Sequence, residues 1–173
     1  MEAITINTDR LILKKLTADH LSAAYVNWMN DPEVNKYLES GGDYTIDKLN
    51  AFLIEQEKKN ILFWAIHLKE NGRHIGNIKI DPIDQENLSG EYGIMIGDKA
   101  AWGKGFAKEA SLAVIQYCFR EIGLKHITLG VVDQNQAALQ LYHNIGFRRI
   151  SETETTNKYN GVYSKTIRMS ISR

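Results

Sequence analysis

Residues 10–16, Arg-Leu-Ile-Leu-Lys-Lys-Leu, read as a first strand, with Leu11 and Leu13 two apart on one face. The period then lengthens. Leu21, Ala24, Tyr25 and Trp28 fall on one face of a helix near residues 18–30, with Thr17 placed to cap it. Asp31-Pro32-Glu33 predicts a fresh start: a cap, a proline at the first helical position, and an acid at the positive end of the helix dipole. That helix is short, to about Leu38, and Ser40-Gly41-Gly42-Asp43 breaks it. Thr45 caps a further helix near residues 46–59, with Leu49, Phe52, Leu53 and Gln56 in register. Residues 61–68 are apolar on both faces, as a central strand requires. Asn71-Gly72 predicts a type I′ turn into a returning strand over 73–80. A third strand covers 91–97, residues 98–105 turn the chain, and a long helix runs to about Ile122. Gly123, followed by Leu124, closes that helix. A buried-type strand over 126–132 and a helix over 135–145 follow. Gly146-Phe147 repeats the closing pattern, and two last strands cover 147–152 and 162–171, with Asn160-Gly161 near their turn.

This order predicts an α/β (α+β) fold: one mixed sheet of about seven strands, helices on both faces, and a right-handed parallel crossover over residues 91–132. With 173 residues, two prolines and no low-complexity tract, a single domain is expected. Lysine plus arginine number 21 and so do aspartate plus glutamate, which argues against nucleic acid or an acidic membrane as partner. One cysteine, Cys118, excludes an internal disulfide and a cysteine metal cluster. It falls among Val114, Tyr117 and Phe119 and reads as core packing. The five histidines lack ligand spacing, so no metal is expected. His67 and His74 flank the predicted hairpin and read as an ordinary surface pair. No apolar run reaches the ~20 residues of a membrane span. Residues 1–7 lack the pattern of a signal peptide, so the expected compartment is the cytoplasm.

The densest chemical signal is the run from Lys99 to Lys108, Lys-Ala-Ala-Trp-Gly-Lys-Gly-Phe-Ala-Lys. It follows a strand and opens a helix. Glycines there bare backbone N–H groups at a helix start, and Lys99, Lys104 and Lys108 add charge, which makes a phosphate seat. The run is not a Walker A loop, and Lys108 stands where a dinucleotide fingerprint needs its third glycine. A flexible connection with solvated lysines is the plainer alternative. Further on, Asn135 heads a helix and Tyr142 lies two turns along the same face.

Together, the Trp102-to-Ala107 turn, the Asn135-to-Phe147 segment and the element order resemble the GNAT superfamily of acyl-CoA-dependent N-acyltransferases. The Gly97–Ala110 run is similar to the subgroup that includes ribosomal-protein N-terminal alanine acetyltransferases. The likeness spans residues 10–171 and implies acetyl-CoA as co-substrate. Backbone groups of Ile94, Met95 and Ile96 would meet its pantetheine arm. Backbone N–H groups of Trp102, Gly103, Lys104, Gly105, Phe106 and Ala107 would hold its pyrophosphate. The family often has Arg or Gln where Trp102 stands; Lys104 would compensate in part. Asn135 would bond the pantetheine amides, or serve only as a helix cap.

Acyl transfer to an amine needs a deprotonated nucleophile, a stabilised oxyanion and a proton for the departing thiolate. An alkyl amine of pKa ~10.4 arrives charged at neutral pH. Glu91 is the candidate base, directly or through a held water; a solvated loop-edge glutamate is the alternative. Tyr142 is the candidate acid, a role the family gives to a tyrosine here; a core aromatic is the alternative. The oxyanion donor would be a backbone N–H near Ile94 to Ile96. Glu109 is sufficiently explained by the helix dipole. Asn27, Trp28, Asn30, Tyr37 and Tyr44 mark the acceptor region. The stretch from Asn27 to Val34 also resembles acetyltransferases acting on amino-sugar nucleotides. The expected protein is therefore a monomeric or homodimeric N-acetyltransferase acting by direct attack. Its acceptor would be a protein N-terminus, an amino-sugar nucleotide or a small amine. A non-catalytic acyl-CoA-binding module is the rival.

Overall fold

A computed structural model describes residues 2–59, 61–156 and 163–173. Eight strands form one sheet: β1 (Ile6–Asn7), β2 (Leu11–Lys15), β3 (Leu62–Leu68), β4 (His74–Asp84), β5 (Ser89–Ile96), β6 (His126–Val132), β7 (Arg148–Thr156) and β8 (Tyr163–Ser172). Their spatial order is β1-β2-β3-β4-β5-β6-β8-β7. The strand beyond the expected seven is β1, two residues that pair with β2. All neighbours are antiparallel except β5 and β6, which the crossover helix joins in parallel. The Asn160-Gly161 turn lies outside the described residues.

Five helices cover the sheet: α1 (Ala23–Asn30), α2 (Pro32–Asn35), α3 (Ile46–Lys58), α4 (Phe106–Tyr117) and α5 (Gln136–Ile145). The expected helix over 18–30 divides. Thr17 starts a single 3₁₀ turn, Ala18–His20, and Ser22 caps α1 by accepting the Tyr25 N–H. Asp31 and Thr45 cap α2 and α3 as their sequence positions suggest. A π-helical turn, Cys118–Ile122, completes the run after α4, and Gly123 ends it in the left-handed region. The β3–β4 connection is not a type I′ turn. Only Gly72 has positive φ there, Gly72 N–H donates to the Leu68 carbonyl, and the Asn71 side chain accepts the Arg73 N–H.

The two sheet faces carry separate cores. Leu11, Leu13, Trp64, Ile66, Ile78, Tyr92 and Phe147 pack under α4 and α5. Leu16, Tyr25, Trp28, Leu49, Leu53 and Ala65 pack under α1 and α3. The Trp28 ring fills the place a side chain on residue 97 would need: a Cβ on Gly97 would stand 2.2 Å from it. Tight packing of this kind sets where α1 sits at the end of β5.

Candidate active site

Strands β5 and β6 pair only at Ser89–His126, Gly90–Ile127 and Glu91–Thr128. Beyond Glu91 the sheet opens, and β5 keeps a partner on one side alone, β4. The Leu88 carbonyl accepts N–H groups of the Lys125-His126 peptides, so it faces β6. The Ile96 carbonyl faces the same way and accepts the Trp102 indole N–H at 2.8 Å. Strand alternation then turns the backbone groups of Tyr92, Ile94 and Ile96 into the gap and those of Met95 toward β4. Of the three residues expected to line the cofactor arm with backbone, two face the gap. Met95 sends its side chain to the α1–α3 face instead.

The turn after β5 lies at the mouth of this gap. Gly103 and Gly105 both have positive φ, +72° and +80°, and no atom comes within 4 Å of where a Cβ on Gly103 would stand. Among the described residues, the N–H groups of Gly103, Lys104, Gly105, Phe106 and Ala107 have no hydrogen-bond partner. Five successive free amides at a helix start have the chemistry of an anion-binding nest. Trp102 differs from the expectation: its backbone N–H donates to the Lys99 carbonyl, and its indole, 42% exposed, caps β5. Lys99 differs too. It pairs with Asp31 at 2.7 Å and with Glu33, which ties the turn to α2 rather than leaving a free cation.

Tyr142 is 8% exposed and stacks edge-on against Tyr92, the first β5 residue past the fork, at 5.7 Å between centroids. Burial pushes its pKa up to about 12. Among the described residues its hydroxyl has no hydrogen-bond partner, while Tyr92 is anchored to Ser111 at 2.6 Å. Asn135 caps α5, its Oδ1 accepting the Ala138 N–H at 3.2 Å, which leaves its amide NH₂ group available.

Glu91 lies on the opposite face. Arg168 Nη1 and Nη2 donate to its two oxygens, each at 2.6 Å, and the Thr128 hydroxyl donates to Oε2 at 2.7 Å. The arginine crosses from β8 over Gly130, where a Cβ would stand 3.1 Å from Nη1. Burial alone would raise the carboxyl pKa. The bonds from Arg168 and Thr128, with the guanidinium charge, outweigh that and hold it below the ordinary carboxylate value. A carboxylate so engaged is a weak base, which runs against the role expected of it.

The residues expected to shape the acceptor site lie in and after α1, up to the start of α3. Tyr37 donates to the Gln134 carbonyl at 3.1 Å, so with Lys99 bound at Asp31 the 31–37 segment spans from the β5 side of the gap to the β6 side. Asn30 is structural: it exchanges two bonds of 2.8 Å with the Tyr44 backbone. His67 and His74 are not a surface pair. They stack at 5.2 Å beneath α1 with His20 5.3 Å from each. Burial lowers the pKa of all three, His74 to about 4. Among the described residues no group of three or more His, Cys, Asp or Glu is placed to hold a metal ion. Cys118 is buried, its pKa pushed up to about 12, which removes it as a nucleophile. No helix of the described residues is long and apolar enough to cross a membrane.

A mixed sheet forked at its parallel pair, with free amides at the fork's mouth, fits the acyl-CoA-dependent N-acyltransferase architecture that the sequence resembles. Residues 10–148 match the Acetyltransferase (GNAT) domain, and the chain belongs to that family of N-acetyltransferases, which use acetyl-CoA. It is 31% identical over 152 residues to the uncharacterised N-acetyltransferase p20 of Bacillus licheniformis, covering 84% of this chain and 83% of that protein. Its fold matches spermidine N-acetyltransferase from Vibrio cholerae in complex with CoA and spermine, with TM-score 0.85, 24% identity, and coverage of 95% and 96% of the two chains. It also matches a ribosomal-protein-S5-alanine acetyltransferase from Vibrio fischeri, with TM-score 0.84, 16% identity, and coverage of 98% and 96%.

Proposed function

We propose that the protein transfers an acetyl group from acetyl-CoA directly to a primary amine, with the cofactor lying in the fork between β5 and β6. The observation that carries this reading is the row of five unpartnered amides from Gly103 to Ala107 at the mouth of a gap edged by the Ile94 backbone. The amides suit a diphosphate, and the strand edge suits the amide-bearing arm behind it.

The amine attacks the thioester carbonyl carbon, a C–N bond forms and the C–S bond breaks. The Ile94 N–H, aimed into the gap, stabilises the developing oxyanion. The Tyr142 O–H donates a hydrogen bond to the departing sulfur, which leaves as the thiolate. The amine attacks in its neutral form, drawn from its acid–base equilibrium in solution, and the proton of the tetrahedral nitrogen is lost to solvent base, since Glu91 is held by Arg168. Attack is direct, and Cys118, the single thiol, is buried with a raised pKa and so is no candidate to carry the acetyl group as a thioester.

Three acceptor classes are the candidates: a protein N-terminus, an amino-sugar nucleotide, or a small amine such as the spermine named with the Vibrio cholerae neighbour. Thiol release from acetyl-CoA, measured with one representative of each class, tests the reading. Release above the hydrolytic background with at least one amine, and acetyl recovered on that amine, is expected. Tight CoA binding with no turnover on any of them would replace this reading with a non-catalytic acyl-CoA-binding module.

A further inference from the structure

Arg10 lies just before β2, 94 residues from Lys104, yet its guanidinium lies against the cofactor turn. Nη1 donates to the Lys104 carbonyl at 2.9 Å. The guanidinium carbon sits 4.5 Å from the centroid of the Phe106 ring. Nη2 stands 3.5 Å from where a Cβ on Gly105 would be. Three consecutive residues of the turn therefore rest on one planar group.

The group is itself held from behind. Glu109, in the first turn of α4, takes the Arg10 Nε–H at 2.7 Å and the Arg10 backbone N–H at 2.8 Å. The Thr8 hydroxyl donates to the same carboxylate at 2.6 Å. Glu109 is thus far more than a complement to the helix dipole.

We propose that Arg10, locked by Glu109, is a positioning residue for acetyl-CoA: it fixes the turn so that its free amides already point at the diphosphate. The inference rests on the reading of that turn as the coenzyme A seat. In a planar trans peptide the carbonyl and the next N–H point in opposite directions. Holding the Lys104 carbonyl on the Arg10 side therefore aims the Gly105 N–H away from it, toward the open side. Two left-handed glycines make this turn costly to order, and the brace moves that cost from binding to folding. The effect is geometric rather than a matter of net charge, because Glu109 already neutralises the guanidinium. Lysine cannot replace it: an ammonium lacks the planar fork that spans Glu109, the Lys104 carbonyl and the Phe106 ring.

The test is calorimetric titration of coenzyme A into the whole protein and into Arg10→Ala, Arg10→Lys and Glu109→Gln, each checked by its melting curve, followed by acetyl-CoA kinetics. The wild type binds. Arg10→Ala and Arg10→Lys both weaken binding by about tenfold or more, a difference of about 1.4 kcal/mol. Glu109→Gln weakens it in the same direction although it frees a positive charge. The loss falls on KM for acetyl-CoA rather than on kcat. Wild-type affinity in Arg10→Ala, or full rescue by lysine, overturns the brace. If Arg10→Ala does not fold, Arg10→Lys and Glu109→Gln decide the matter by the same criteria. Absence of binding by the wild type would take down the coenzyme A reading, and the brace with it.

Discussion

A phenol whose pKa burial has pushed up to about 12 stays protonated across the working range of an enzyme. A thiol's ordinary pKa is about 8.5, so full proton transfer from Tyr142 to the sulfur runs uphill. The hydroxyl serves better as a hydrogen-bond donor to the charge that builds as the C–S bond breaks. Tyr142→Phe keeps the ring contacts with Tyr92 and Phe147 and removes only that donor. It is expected to lower kcat by about 10- to 100-fold, with KM for acetyl-CoA within about twofold. Steady-state kinetics check this, and unchanged kcat would remove Tyr142 from the chemistry. At this scale the sequence was a partial guide. The seven-residue spacing from Asn135 put Tyr142 on a defined helix face. Nothing in residue order, by contrast, announces that Arg168 reaches over Gly130 to engage Glu91, or that Arg10 meets Lys104, because the contacts join residues 77 and 94 apart.

Between elements, the Glu91–Arg168 pair joins β5 to β8 across β6 at the level where the fork begins. It is expected to act as a strut that sets the opening of the gap. Glu91→Gln and Arg168→Met should each destabilise the protein by about 1–3 kcal/mol and raise KM for acetyl-CoA. The double variant should be little worse than either alone, since the two groups serve one contact. Denaturant unfolding and kinetics of the three variants give the cycle. A Glu91→Gln loss confined to kcat, with stability intact, would restore the glutamate as base.

A second contact between elements titrates. Burial lowers the pKa values of His20, His67 and His74 between α1 and the sheet, while Lys14 adds repulsion at His20 and His67, and Asp19 at His20 works the other way. Groups whose basic form is favoured by folding bind more protons when unfolded. Stability is thus fully present above pH 6.5 and is lost as pH falls toward 4, by about 3 kcal/mol for His74 once titration is complete. The melting temperature should fall between pH 6.5 and 4.5, before the paired carboxylates Glu91 and Glu109 are protonated. His74→Gln should flatten that segment, and a flat profile in the wild type would show that the cluster titrates normally. The hydrophobic pattern places His67 and His74 on facing strands, but burial of the pair depends on where α1 docks, and that is set by Trp28 against Gly97.

For the molecule as a whole, periodicity carried most of the architecture. Leu62–Leu68 form an inner strand because both faces are apolar, and the left-handed glycines Gly123 and Gly146 end helical runs where expected. The two-residue β1 escaped because it is too short to show a period. The fork itself is invisible in residue order. It exists because β5 is bordered by β6 for three residues only, after which the backbone of Tyr92 and Ile94 faces open space and the Ile96 carbonyl is capped by the Trp102 indole. The 31–37 segment, anchored at Lys99 and Gln134, bridges that space. The account stands on coenzyme A occupying this fork. Amide hydrogen exchange with and without saturating coenzyme A tests it most directly. Slowed exchange is expected at Gly103 to Ala107 and along the open edge of β5. Unaltered exchange at both, or protection confined to another face of the sheet, would contradict it.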